Sequence, residues 1–130
     1  MLNPTGMAVR GRDVQGEGRY GAPRQGRIHK GVDYTCVPGQ EIRSPINGMI
    51  IREAKPYAGE KYSGMLIQGP HVAVKIFYMK FAPHVKIGSV VRTGDVIGLA
   101  QDISEKYKGI TPHVHLEVES IDVSLLTEGI

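Results

Sequence analysis

The sequence predicts a mainly β fold, an antiparallel β-sheet core with loops. Seventeen glycines and eight prolines in 130 residues, against two phenylalanines and no tryptophan, divide the chain into short pieces. Between those breaks the apolar residues alternate instead of recurring at helical spacing. The length suits one domain with a modest core, and an apolar fraction of 41% excludes disorder throughout.

Residues 1–19 carry Gly, Arg, Asp and Asn without a sustained period and are expected to be a flexible lead-in, with Met7-Ala8-Val9 as a short strand. Residues 20–130 are expected to form the domain. Val37-Pro38-Gly39-Gln40 is a turn signal, and Glu41–Ser44 and Gly48–Arg52 read as strands around Pro45-Ile46-Asn47-Gly48. Gly64–Gln68 and Val72–Lys80 read as antiparallel strands joined at Gly69-Pro70. In the second, Val72, Val74, Ile76 and Tyr78 share one parity and so one face. Val85–Ser89, Val90-Val91, Val96–Ala100 and Val114–Val118 complete the strands. Single helical turns are expected near Ile103–Tyr107 and Val123–Leu126.

Composition narrows the function. A formal charge of +3 favours approach to an anionic polymer, but the basic residues are scattered. Neither a recognition helix nor stacking aromatics accompany them, so nucleic acid is not an expected partner. The lone Cys36 forms no intrachain disulfide and is expected to be a small buried hydrophobe. No run reaches the roughly 18 apolar residues of a membrane span, so insertion is not expected. The N-terminus lacks the charged start and apolar run of a secretory signal. That predicts either cytoplasmic synthesis, as of a virus-encoded protein, or a mature fragment.

The five histidines are unevenly placed. His113-Val114-His115 lies in an expected strand, where alternation puts both imidazoles on one face, able to converge on one ion. His29-Lys30-Gly31-Val32-Asp33 sets a third imidazole and a carboxylate around a glycine that lets the backbone bend. Two histidines and a carboxylate with an open fourth position suit a catalytic zinc site, and these nitrogen and oxygen donors favour Zn²⁺ over thiolate-loving metals.

His29-Lys30-Gly31-Val32-Asp33 resembles the first signature, H-x-G-x-D, of the lysostaphin and LytM zinc peptidases, which share the duplicated hybrid motif fold. Thr111-Pro112-His113-Val114-His115-Leu116-Glu117 resembles their second. Between them, Gly39, Ser44-Pro45 and Gly48, then Val85-Lys86-Ile87-Gly88, Val91, Gly94-Asp95 and Ile97-Gly98 follow the family's glycine-punctuated ribbon in order. Asp122–Leu126 resembles its exit segment. The likeness covers roughly residues 20–126. It implies His29, Asp33 and His115 as ligands of Zn²⁺ and His113 as the histidine that handles the water. It also implies peptidoglycan peptides as substrate class and Tyr20 as an oxyanion-supporting tyrosine.

One departure stands out. Members carry a second water-handling histidine in a strand reading Y-x-H-L, and here Phe77-Tyr78-Met79-Lys80-Phe81 puts Lys80 at that position. A lysine of ordinary pKa, about 10.4, is a cation at pH 7 and not a base. Lys80 is then expected to donate to an oxyanion, with His84, past Pro83, as the other histidine close in sequence. Lys55-Pro56-Tyr57 and Val74–Lys80 are similar to the leukocyte cell-derived chemotaxins, vertebrate secreted proteins of this fold that share the lysine. The resemblance thus implies either a zinc metalloendopeptidase or a zinc-binding module of the same fold with weak or absent turnover.

Overall fold

The computed structural model describes residues 1–11, 13, 18–19, 23–24, 27–28, 31–59 and 61–122. Its strands are β1 (Pro23–Arg24), β2 (Arg27–Ile28), β3 (Val32–Thr35), β4 (Glu41–Arg43), β5 (Gly48–Glu53) and β6 (Gly64–Gln68). There follow β7 (Val72–Phe77), β8 (Met79–Phe81), β9 (Val90–Val91), β10 (Val96–Ala100) and β11 (His113–Ile121). A six-stranded sheet runs β3-β11-β7-β6-β5-β9, a three-stranded sheet runs β4-β10-β8, and β1 pairs with β2. Every pairing is antiparallel, and the described residues contain no helix. The expected mainly β, antiparallel class is the one found.

Alternation gives the large sheet two unlike faces. Ile50, Met65, Ile67, Val74, Ile76, Val114 and Leu116 point to one side, where they join Ile42, Met79 and Ile97 of the small sheet in a single apolar core. Asp33, His113, His115, Glu117 and Phe77 take the other parity of their strands and face the functional side. Cys36 is buried in the core, as expected, and burial pushes its thiol up to about 11, far from a nucleophile's range.

Two expectations are corrected. Val85–Ser89 is not a strand: Val85 N donates to Ala82 O and Ser89 N to Lys86 O, and Gly88 takes a φ of 92°, so the segment is two tight turns. The single turn expected near Ile103–Tyr107 is present, with Lys106 N and Tyr107 N both donating to Ile103 O, and it does not extend into a helix. Val72–Lys80 is not one strand, because Tyr78, with φ 74°, separates β7 from β8. The helical turn expected at Val123–Leu126 lies outside the described residues.

The N-terminal residues are stitched to the domain over residues 2–10. Leu2 N donates to Pro45 O, Arg43 N to Pro4 O, Thr35 N to Ala8 O and Arg10 N to Asp33 O. The expected short strand around Val9 is a single bridge to Tyr34.

Ile76 is fully buried where the two sheets meet, whereas Ile87 is 59% exposed on a turn. Ile76→Ala should therefore cost about 2–5 kcal/mol by cavity formation, while Ile87→Ala should stay within about 0.5 kcal/mol. Urea unfolding of the two variants measures the contrast.

Candidate metal centre

Register brings the site together. In the β3–β11 ladder His115 lies opposite Asp33, and in the β11–β7 ladder the same His115 lies opposite Phe77, so the three side chains form one row across the sheet. His115 Nδ1 is 2.9 Å from Asp33 Oδ1, and its Nε2 is 2.9 Å from Glu117 Oε1. The ring of Phe77 stacks on that of His115, centroids 5.7 Å apart with planes at 11°. Two residues earlier on the same strand, His113 places Nε2 3.4 Å from Asp33 Oδ2.

Gly31 makes the approach feasible. A Cβ there would stand 2.7 Å from His115 Cε1 and 2.8 Å from Nε2, so the backbone at this position passes the imidazole only as glycine. This is the physical content of the glycine between the first two motif positions.

The protons follow from the partners. His113 Nδ1 lies 2.8 Å from the carbonyl oxygen of Thr111. A carbonyl only accepts, so Nδ1 carries the hydrogen and Nε2 keeps a lone pair directed toward Asp33. Burial lowers the pKa of His113 below its ordinary value, more than the Asp33 charge raises it, and the ring is neutral at pH 7. For His115 burial also opposes the charged form, but hydrogen bonds and charges from Asp33 and Glu117 outweigh it and push the pKa up to about 9. Without a metal, then, His115 is a cation held between two carboxylates.

Residues of the lead-in complete the surroundings. The guanidinium of Arg10 is buried with Nε 3.3 Å from Asp33 Oδ2 and Nη1 3.3 Å from Asp13 Oδ2. That Asp13 oxygen accepts from Thr111 N at 2.8 Å, and Thr111 in turn holds His113. Arg10 and Asp13 therefore brace both sides of the site. A buried cation three residues before an acid was visible in the sequence as Arg10-Gly11-Arg12-Asp13, but nothing there distinguished it from a solvated charge.

The structure brings Asp33, His113 and His115 together and sets Lys80 apart from them. Lys80 is exposed on β8, opposite Leu99, and lines a cavity of about 350 Å³ with Lys61, Tyr62 and Asp102. No hydrogen bond or ion pair among the described residues joins it to the three. His84 Nε2 sits 3.0 Å from Val96 O at the start of β10, and His71 is exposed near Asp122, 3.6 Å away. His29 and Tyr20 lie outside the described residues.

Among the described residues no group of three or more His, Cys, Asp or Glu side chains is arranged to hold a metal ion alone. Asp33 and His115 offer two donors of the expected three. The donor chemistry fits zinc: a carboxylate and an imidazole, with the only thiol remote in the core. Two lone-pair atoms facing each other, His113 Nε2 and Asp33 Oδ2, are likewise an arrangement that a cation stabilises.

A pH dependence follows for chelator-treated protein. His115 is raised above its ordinary 6.5 by folding, so its contribution is complete below that value and is lost as pH climbs through about 9. His113 is shifted down and penalises folding only below 6.5. The melting temperature should accordingly fall between about pH 7 and pH 9, and His115→Gln should flatten that slope. Calorimetry in chelator across this range tests both.

Residues 27–125 match peptidase family M23. Leukocyte cell-derived chemotaxin-2 of Bos taurus is 32% identical over 111 residues, spanning 84% of this chain and 72% of that protein. A zinc containing peptidase from Vibrio cholerae superposes with a TM-score of 0.58 at 25% identity, covering 88% of this chain but only 35% of that one. The catalytic domain of the antimicrobial peptidase lysostaphin from Staphylococcus simulans has the same fold, with a TM-score of 0.54 at 23% identity over 86% of this chain and 84% of that domain. With the match running through both histidine-bearing segments, the chain belongs to peptidase family M23.

Proposed function

We propose that this protein is a zinc metalloendopeptidase that hydrolyses peptide cross-links of bacterial peptidoglycan. The observation that supports it most is the Asp33–His115–His113 constellation, a paired carboxylate and imidazole with a neutral imidazole beside them. His29, Asp33 and His115 would hold the ion. A bound zinc polarises a peptide carbonyl and lowers the pKa of water from 15.7 to about 7.

The chain's own groups do the remaining work. His113 keeps Nε2 free of a proton because its Nδ1–H is committed to Thr111 O. Its lowered pKa leaves that nitrogen unprotonated at neutral pH, ready to take a proton from water and return it to the leaving amine. Arg10 holds Asp33 by its second oxygen, so the first remains directed toward His115. Phe77 covers one face of His115 and limits access of water to that ring.

A second reading, a zinc-stabilised binding module with little or no turnover, is favoured by Lys80. It stands at the family's second-histidine position and is exposed, away from His113. Purified protein with zinc, given purified peptidoglycan, should release new amine termini under the first reading. Retained zinc with no release supports the second. Within the first, His113→Ala should lower turnover by a factor of about 10² or more while leaving zinc bound. His115→Ala should lose the metal, seen by zinc content after dialysis.

A further inference from the structure

We infer that Tyr78 is a positioning residue for His113, and that this tyrosine, rather than Lys80, is what the β7–β8 junction contributes to the site. The inference rests on the peptidase reading and adds to it a role for the tyrosine that opens the Y-x-H-L-like strand.

The starting point is a break in strand parity. Continued as a regular strand, β7 would send Tyr78 to the core face with Val74 and Ile76. Instead Tyr78 has a φ of 74°, the only positive value at a non-glycine among the described residues. A bulky residue in this region persists only where its surroundings over-determine it, and such positions cluster at functional sites. Here both backbone groups are clamped. Tyr78 N donates to Ser63 O at 2.8 Å, and Tyr78 O accepts from Gln101 N at 2.9 Å. The buried side chain of Gln101 closes the loop, its Oε1 accepting from Ser63 N at 2.8 Å and its Nε2 donating to Lys61 O at 2.8 Å.

The turn lets two consecutive aromatics serve one face. Phe77 stacks on His115, and the ring of Tyr78 meets that of His113 at 87° with centroids 5.7 Å apart. His113 has one fixed hydrogen bond, at Nδ1, and a single bond leaves a ring free to swing about it. The ring of Tyr78 blocks that swing. It is anchored in its turn, since the Tyr78 hydroxyl is 2.7 Å from that of Tyr57, which is bonded to the hydroxyl of Tyr107. Met79 then enters the core and Lys80 faces outward. The orientation of the water-handling imidazole is therefore tied to the segments 54–59 and 101–110 through three phenols.

The test uses the full chain loaded with zinc and labelled with ¹⁵N-histidine, comparing Tyr78→Leu, Tyr78→Phe and Tyr78→Gly. The glycine variant removes the ring and the strained φ together, so it folds even where the leucine variant does not. Wild type should show His113 as one Nδ1–H tautomer, and the Leu and Gly variants should show averaged ring signals. On a soluble cross-bridge peptide these two should lose about 10-fold or more in kcat, with KM and zinc content unchanged. Tyr78→Phe, which keeps the ring but loses its hydroxyl anchor, should recover the tautomer and part of the lost kcat. A single unchanged tautomer in the Leu and Gly variants overturns the inference. Should wild type prove inactive, the peptidase reading fails while the nitrogen spectra still decide this one.

Discussion

An ionised carboxylate buried to 2% exposure is the condition around which this site is built. Asp33 sits in an interior where a lone charge is prohibitively costly, and that cost is met by surrounding it with cationic and polar groups. Arg10 takes one oxygen, His115 the other, and His113 stands across from both. The partners arrive by two routes: Arg10 from the N-terminal segment, the histidines from β11. The sheet register holds these separate arrivals in common alignment, because a slip of one residue between β3 and β11 would turn both imidazoles into the core. On the proposed reading, a divalent cation among these groups would replace the proton on His115 as the positive charge beside Asp33, and would couple metal to fold through this one side chain.

Much of this was legible in the chain. The β class followed from glycine and proline spacing, and β6 and β10 fell on their expected residues. The shared face of His113 and His115 followed from strand alternation alone. Asp33 was marked by its neighbouring glycine, and the distance from Gly31 to the His115 ring gives the reason. These features are local, set by the period of one strand or the steric need of one residue.

What could not be read depends on groups far apart in sequence. Tyr78 carries no glycine or asparagine to announce a left-handed turn, and its φ is imposed by Ser63 and Gln101, 15 and 23 residues away. Strand parity therefore assigned it to the core. Lys80 was placed by analogy with a histidine, and its outward direction follows from the same turn. Val85–Ser89 looked like a strand because its valine and isoleucine suit one. Instead, Gly88 N bonds to Ile50 O and fixes a reversal there. In each case a tertiary contact overrode a local preference.

The stitching of residues 2–10 has a consequence for where the folding unit begins. The match to the family model begins at residue 27, yet Pro4 is fully buried and Arg10 supplies the guanidinium beside Asp33. A domain border drawn from sequence likeness would cut between the acid and its counter-ion. The shortened polypeptide would retain both signatures and every core strand, yet lose the guanidinium that faces Asp33 and leave His115 alone to offset its charge. In this protein the physical module reaches beyond the family match, and its extra margin is electrostatic.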